Sequence, residues 1–179
     1  MLTQILYRAR ELAETGSELF ATPDFAIFLN NNFTLEDFDI HRNLLESFNG
    51  LDDNDVWASV KGWRTHSDPV LSTLCTMLLN RNLFKITFYD SPPSEALLDS
   101  LREQLRARGI AADQMDHFLV EGETTNWAYA KEFDPIRVKM KNGNLLDIAD
   151  ASDIPTIKAL TKIVRKYYVC WAKNVSLRG

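Results

Sequence analysis

The sequence predicts an α+β fold, an N-terminal helical segment packed on a C-terminal lobe of strand-helix-strand-hairpin-helix order. Three observations carry that expectation. Apolar residues recur at helical spacing from Leu2 to Leu79. The run Leu83 to Tyr89 is short, β-branched and aromatic, and stops at Asp90-Ser91-Pro92-Pro93. Ile136 to Ile148 reads as two apolar runs joined by Asn142-Gly143. No flexible linker or composition break marks residue 82, so a helical region 1–82 and a small lobe 83–179 are expected to form one compact unit.

Each element has its own signal. Leu2, Ile5, Leu6, Ala9 and Leu12 share one face of a helix over 2–15, and Gly16 stands where a left-handed C-cap is wanted. From Ser17 to Phe48 the chain is rich in Phe but interrupted by Pro23 and the Asn30-Asn31-Asn32 run, which predicts short helices joined by loops. Asp52 or Asp53 caps a helix carrying Val56, Trp57, Val60 and Trp63. Asp68-Pro69 starts another, with Leu71, Leu74, Cys75, Leu78 and Leu79 turned inward. After the strand at 83–89, Leu97, Leu98, Leu101 and Leu105 mark a helix from Ser94 to Arg108 that Gly109 closes, and His117 to Glu121 reads as a second strand. Asn142-Gly143 favours a type I′ hairpin turn. Ser152, Asp153 and Pro155 then open a final helix, with Ile157, Leu160, Val164, Tyr167, Tyr168 and Trp171 toward a core.

Composition narrows the function. With 179 residues, 45% of them hydrophobic, the chain can build a core without metal or disulfide staples. Cys75 and Cys170 lie in apolar periodic segments with no leader ahead of them, which points to a reducing, cytoplasmic setting. A net charge of -5 gives no global attraction for nucleic acid, and no apolar run approaches the roughly 20 residues of a membrane helix, so neither partner is expected. Met1 leads directly into a helical pattern, as in a piece of a longer protein.

Catalytic signatures are missing from the sequence. His41, His66 and His117 are scattered and read as surface or loop residues; there is no HExxH, CxxC, GxSxG or phosphate-binding glycine loop. Asp52, Asp53 and Asp55 lack the glycine and distal Glu of a calcium loop and are explained by helix capping. The row Arg137, Lys139, Lys141 reads as a solvated strand face. One run stands apart: Asn80, Arg81, Asn82, Leu83, Phe84, Lys85, at the passage from a buried helix into a strand. Arg81 can complement the helix dipole, while Lys85 alternates with Phe84 and Ile86.

That run also carries a resemblance. LDDNDVW at 51–57, SDPVLSTLCTMLLNRNLFK at 67–85, the closing YYVCWA and the opening MLTQILYRARELAETG together resemble the C-terminal portion of HD-domain phosphohydrolases related to deoxyguanosine triphosphate triphosphohydrolases. The resemblance implies a divalent metal held by a His, a His-Asp pair and a later Asp in a catalytic region upstream of these motifs, where a metal-activated water attacks phosphate. Residues 1–82 would then be the end of the HD-type helical domain. The chain would be non-catalytic alone, with the upstream region of the same polypeptide as partner, a homo-oligomer as assembly, and Arg81 and Lys85 as contacts to a regulatory nucleotide's phosphates. The rival reading is an autonomous α+β protein-interaction module.

Overall fold

The computed structural model describes residues 1–126, 136–151 and 164–175. Six helices come first: α1 (Leu2–Glu14), α2 (Pro23–Asn30), α3 (Leu35–Ile40), α4 (Arg42–Gly50), α5 (Asp53–Trp63) and α6 (Pro69–Leu79). Strand β1 (Lys85–Tyr89), α7 (Glu95–Arg106), a 3-10 turn (Ala112–Gln114), α8 (Met115–Phe118) and β2 (Leu119–Asn126) follow. Then come β3 (Arg137–Lys139), β4 (Leu145–Asp147), α9 (Ile148–Ala151) and β5 (Val164–Trp171). The α+β class is the observed one.

By internal contacts the described chain divides into two units, 1–86 with 95–120 and 170–175, and 87–94 with 121–126, 136–151 and 164–169. In the first, Ile5 and Ala9 of α1 meet Val60 and Trp63 of α5, Leu71, Leu74 and Cys75 of α6, and Phe118 of α8. All eight are almost fully removed from solvent. Burying each large aliphatic or aromatic side chain contributes roughly 1.5–3 kcal/mol against chain entropy. Apolar surroundings push the Cys75 thiol up to about 12, which suits a small hydrophobe rather than a nucleophile. Trp63 satisfies its indole by donating to the Phe20 carbonyl at 2.8 Å.

Helix starts follow the sequence signals. The Asp52 carboxylate accepts from the Asn54 and Asp55 N–H groups, and Asp55 returns the bond from the Asp52 N–H, closing a capping box on α5. Asp68 accepts from the Leu71 N–H and Pro69 fills the first turn of α6.

Three helices end alike. In α1 the Ser17 N–H reaches the Leu12 carbonyl and Gly16 N–H that of Ala13; in α7 Ile110 reaches Leu105 and Gly109 reaches Arg106. In α6 Asn82 reaches Met77 and Arg81 reaches Leu78. This is the Schellman pattern, which requires a left-handed residue just past the cap. Gly16 (φ 83°) and Gly109 (φ 88°) take it freely, but at α6 the position is held by Arg81 at φ 57°. Arg81 was expected to complement the dipole of α6 with its charge; what closes the helix is its backbone, whose N–H bonds the Leu78 carbonyl.

The second unit contains the hairpin, with Arg137 opposite Asp147, Val138 opposite Leu146 and Lys139 opposite Leu145. The turn is not type I′. Met140 N–H pairs with the Asn144 carbonyl, Gly143 N–H with that of Met140, and among the described residues only Gly143 in this turn has positive φ. That is a type I turn closed by a left-handed glycine, the three-residue alternative, in which Asn142 stays right-handed.

Strands β1, β5 and β2 form a sheet in that order. Residues 164–171, expected as the end of a helix, are therefore its middle strand; the earlier part of that expected helix, 152–163, lies outside the described residues. The spacing of Val164, Tyr167, Tyr168 and Trp171 fits a helix, but VRKYYVCW is also β-branched and aromatic, and pairing on both sides decides such a run. His117 to Phe118 belongs to α8, and the strand begins at Leu119.

Candidate functional site

The α6–β1 junction is built in the first unit by the Schellman turn and by the short segment after β5. The Asn82 side-chain amide donates to the Asn174 carbonyl at 2.8 Å, and the Lys85 ammonium lies 5.1 Å from the centre of the Trp171 ring. Lys85 is thus stacked on an aromatic face rather than free. Of its strand neighbours Phe84 packs against the core, whereas Ile86, expected inside, is 48% exposed.

The same segment brings up two cations that sequence reasoning missed. Arg108, one residue before Gly109, points a guanidinium nitrogen at the Ala172 carbonyl with a long 3.5 Å separation, and Lys173 is exposed in the turn itself. Arg81 adjoins Asn82 and Lys173 adjoins Asn174, so four cations occupy or flank one turn. Among the described residues none of the four is in an ion pair. A group of this kind can neutralise a phosphate, with guanidinium supplying a planar fork and ammonium a point charge. No local spacing reveals Arg108 and Lys173, because they are far from Arg81 in sequence and only β5 returns the chain to this place.

A different arginine shows what a structurally committed cation looks like. Arg8 on α1 donates from Nε and Nη2 to the two Asp68 oxygens at 3.1 and 2.7 Å, and from Nη1 to Glu11 at 3.0 Å. The Asp68 bond, with Glu11 in support, raises the Arg8 pKa despite partial burial. Burial also works to raise the Asp68 carboxyl, but the Arg8 and Leu71 hydrogen bonds outweigh it and hold it below the ordinary carboxylate value. Glu11 in turn meets His117 Nε2 at 3.1 Å, and His66 Nδ1 accepts from the Asp68 N–H. His117, expected at the surface, is buried.

Among the described residues, no three His, Cys, Asp or Glu side chains gather as a metal centre requires, so no step through a metal is derived for this chain. Among the described residues no helix is long and apolar enough to cross a membrane.

No family model matches the chain. A solved phosphohydrolase from Bacteroides thetaiotaomicron VPI-5482 is similar, with 38% identity and a TM-score of 0.79 over 95% of this chain and 42% of that one. The uncharacterized protein YwfO of Bacillus subtilis (strain 168) is 24% identical over 162 residues, 86% of this chain and 34% of that protein. The chain therefore spans between about a third and two fifths of the length of these relatives. Its fold is that of part of a phosphohydrolase.

Proposed function

We propose that this chain is the non-catalytic C-terminal region of a metal-dependent HD-domain phosphohydrolase acting on nucleotides. The observation that carries this reading is the match to a phosphohydrolase over nearly all of this chain but 42% of the other, at 38% identity. The divalent metal and its ligands belong, in this reading, to the catalytic region of the longer polypeptide. What this chain supplies is packing and regulation.

Arg81 and Lys85, joined by Arg108 and Lys173, hold the phosphates of a regulatory nucleotide. Supporting this is the left-handed Arg81: a side chain at a position that glycine fills at two other helix ends costs roughly 1 kcal/mol, and such strain gathers at functional sites. Oligomer contacts fall to the α3–α4 region, where Leu35, Ile40, Leu45 and Phe48 are exposed beside the cluster of Phe28, Phe33, Phe38 and Phe48 rings. Leu2, Ile5 and Leu6 of α1 pack in or on the core and add nothing to such a surface.

The test is turnover. The chain alone should hydrolyse no deoxynucleoside triphosphate with manganese, magnesium, iron or nickel, whereas the longer polypeptide should, and should lose nucleotide-dependent activation on double replacement of Arg81 and Lys85 by Ala. Protein-specific, metal-dependent turnover by the chain alone contradicts the reading; unaltered activation in the double variant removes the site assignment.

A further inference from the structure

Two Asn-Gly pairs occur in the chain, Asn49-Gly50 and Asn142-Gly143. In such a pair the side-chain carbonyl carbon of asparagine can be attacked by the backbone nitrogen of the glycine, which carries no side chain to shield it. Backbone conformation decides whether the two atoms meet, and the two pairs are held in different conformations.

Asn49 and Gly50 close α4. A helix tilts each Cα–Cβ bond toward its N-terminus, so the Asn49 carboxamide leans away from the peptide that follows it. That helix end is also held from outside. A Cβ at Gly50 would meet Asp24 Oδ2 at 2.7 Å, and the Leu51 N–H bonds the Phe48 carbonyl at 3.2 Å. Bringing the carboxamide onto the Gly50 nitrogen requires the end of α4 to open.

Asn142 and Gly143 stand in the exposed turn between β3 and β4, within the second unit. Here the Asn144 N–H donates to Asn142 Oδ1 at 3.1 Å. Such a bond reaches across the intervening peptide and folds the carboxamide back over it. It also sets a donor on the oxygen where negative charge collects as the carbon is attacked. The space beside the Gly143 Cα is open, with nothing within 4 Å of a Cβ built there. One contact opposes the reaction: the Gly143 N–H is bonded to the Met140 carbonyl at 2.9 Å. This bond lies in an exposed turn, where water can replace it.

We propose that Asn142 is a site of spontaneous deamidation in the folded protein, and that the fold protects Asn49. The Gly143 nitrogen gives its proton to solvent hydroxide and bonds to Cγ of Asn142, and the carboxamide nitrogen leaves as ammonia, closing a cyclic imide. Water then opens the imide at either carbonyl, giving aspartate or its β-linked isomer. No oxidant, reductant or cofactor enters the balance. Either product sets a carboxylate next to Lys141 in the row of Arg137, Lys139 and Lys141. The β-linked form also lengthens the backbone of a turn that the Met140 N–H bond to the Asn144 carbonyl closes. The site shares no residue with the nucleotide reading and does not depend on it.

The experiment incubates the folded chain in mildly alkaline buffer, with a parallel sample unfolded in urea. Peptides from both are followed in time by mass spectrometry for replacement of the carboxamide NH2 by OH, and the β-linked product is counted by enzymatic methylation of isoaspartyl groups. In the folded chain Asn142 should react at least about tenfold faster than Asn49, a difference of about 1.4 kcal/mol in barrier. In urea the two should react at similar rates. Asn142→Gln, with thermal unfolding recorded to show that it is folded, should abolish the product in that peptide. No detectable product at Asn142 in the folded chain, over the time in which the unfolded chain reacts fully, overturns the proposal. So does reaction of Asn49 at the same rate in the folded chain, or a preference for Asn142 that persists unchanged in urea.

Discussion

Arg8 and Arg81 belong to the same helical unit, yet the protein uses them in opposite ways. Arg8 spends its guanidinium within the structure, joining α1 to the first turn of α6 through both oxygens of Asp68. Arg81 sits at the other end of α6, strained in its backbone and without a hydrogen bond or ion pair from its side chain to a described residue. At the start of the helix a charged side chain stabilises the fold. At its end one is present at the fold's expense. The difference separates residues whose loss should destabilise the fold from one whose loss should not.

The largest effect should come from breaking the committed end. Asp68→Ala removes the cap of α6 and leaves Arg8 without its main partner, and should cost about 2–3 kcal/mol in urea unfolding. The same pair should be visible in pH dependence. The folded carboxyl of Asp68 is depressed, so its contribution is fully present above the unfolded value near 3.9 and is lost as pH falls through the lower folded value. Unfolding of wild type and Asp68→Asn, followed from neutral pH to about pH 2, should show the gap between them closing in that acid window. A gap that persists there, or widens, contradicts the assignment.

Helix ends sharpen the comparison. Gly109→Ala puts a side chain where φ is 88° and should cost about 1 kcal/mol, whereas Arg81→Gly relieves the same strain and should raise stability by roughly 0.5–1 kcal/mol. Equal signs for the two substitutions, measured by thermal melts, would dissolve the contrast between them. The smallest effect belongs to Lys85→Ala, which removes an exposed cation from the Trp171 ring and should cost at most about 0.5 kcal/mol.

The sequence made some of this legible and hid the rest for physical reasons. Local chemistry was readable: Asp52, Asp68-Pro69 and Gly16 act over three or four residues, and each cap is where its signal stands. Arg81 and Lys85 could be picked out by their position between helix and strand. Their conformations could not, because the left-handed Arg81 is imposed by the turn that follows α6, and the Trp171 ring under Lys85 comes from a strand 79 or more positions later in the chain. The reading of 164–171 failed for the same reason. Its spacing suited helix and strand alike, and only the neighbouring strands β1 and β2 distinguish them. His117 was invisible as a buried residue because its partner, Glu11, stands on α1, 106 positions earlier in the chain than the helix α8 that carries it.

The central claim is that Arg81 is kept for a ligand and not for the fold, and one substitution tests both halves at once. In the longer polypeptide proposed above, Arg81→Gly should unfold at higher urea than wild type and, in the same preparation, bind the proposed regulatory nucleotide roughly tenfold more weakly, a loss of about 1.4 kcal/mol. A variant that is more stable and binds that nucleotide with unchanged affinity would contradict the account.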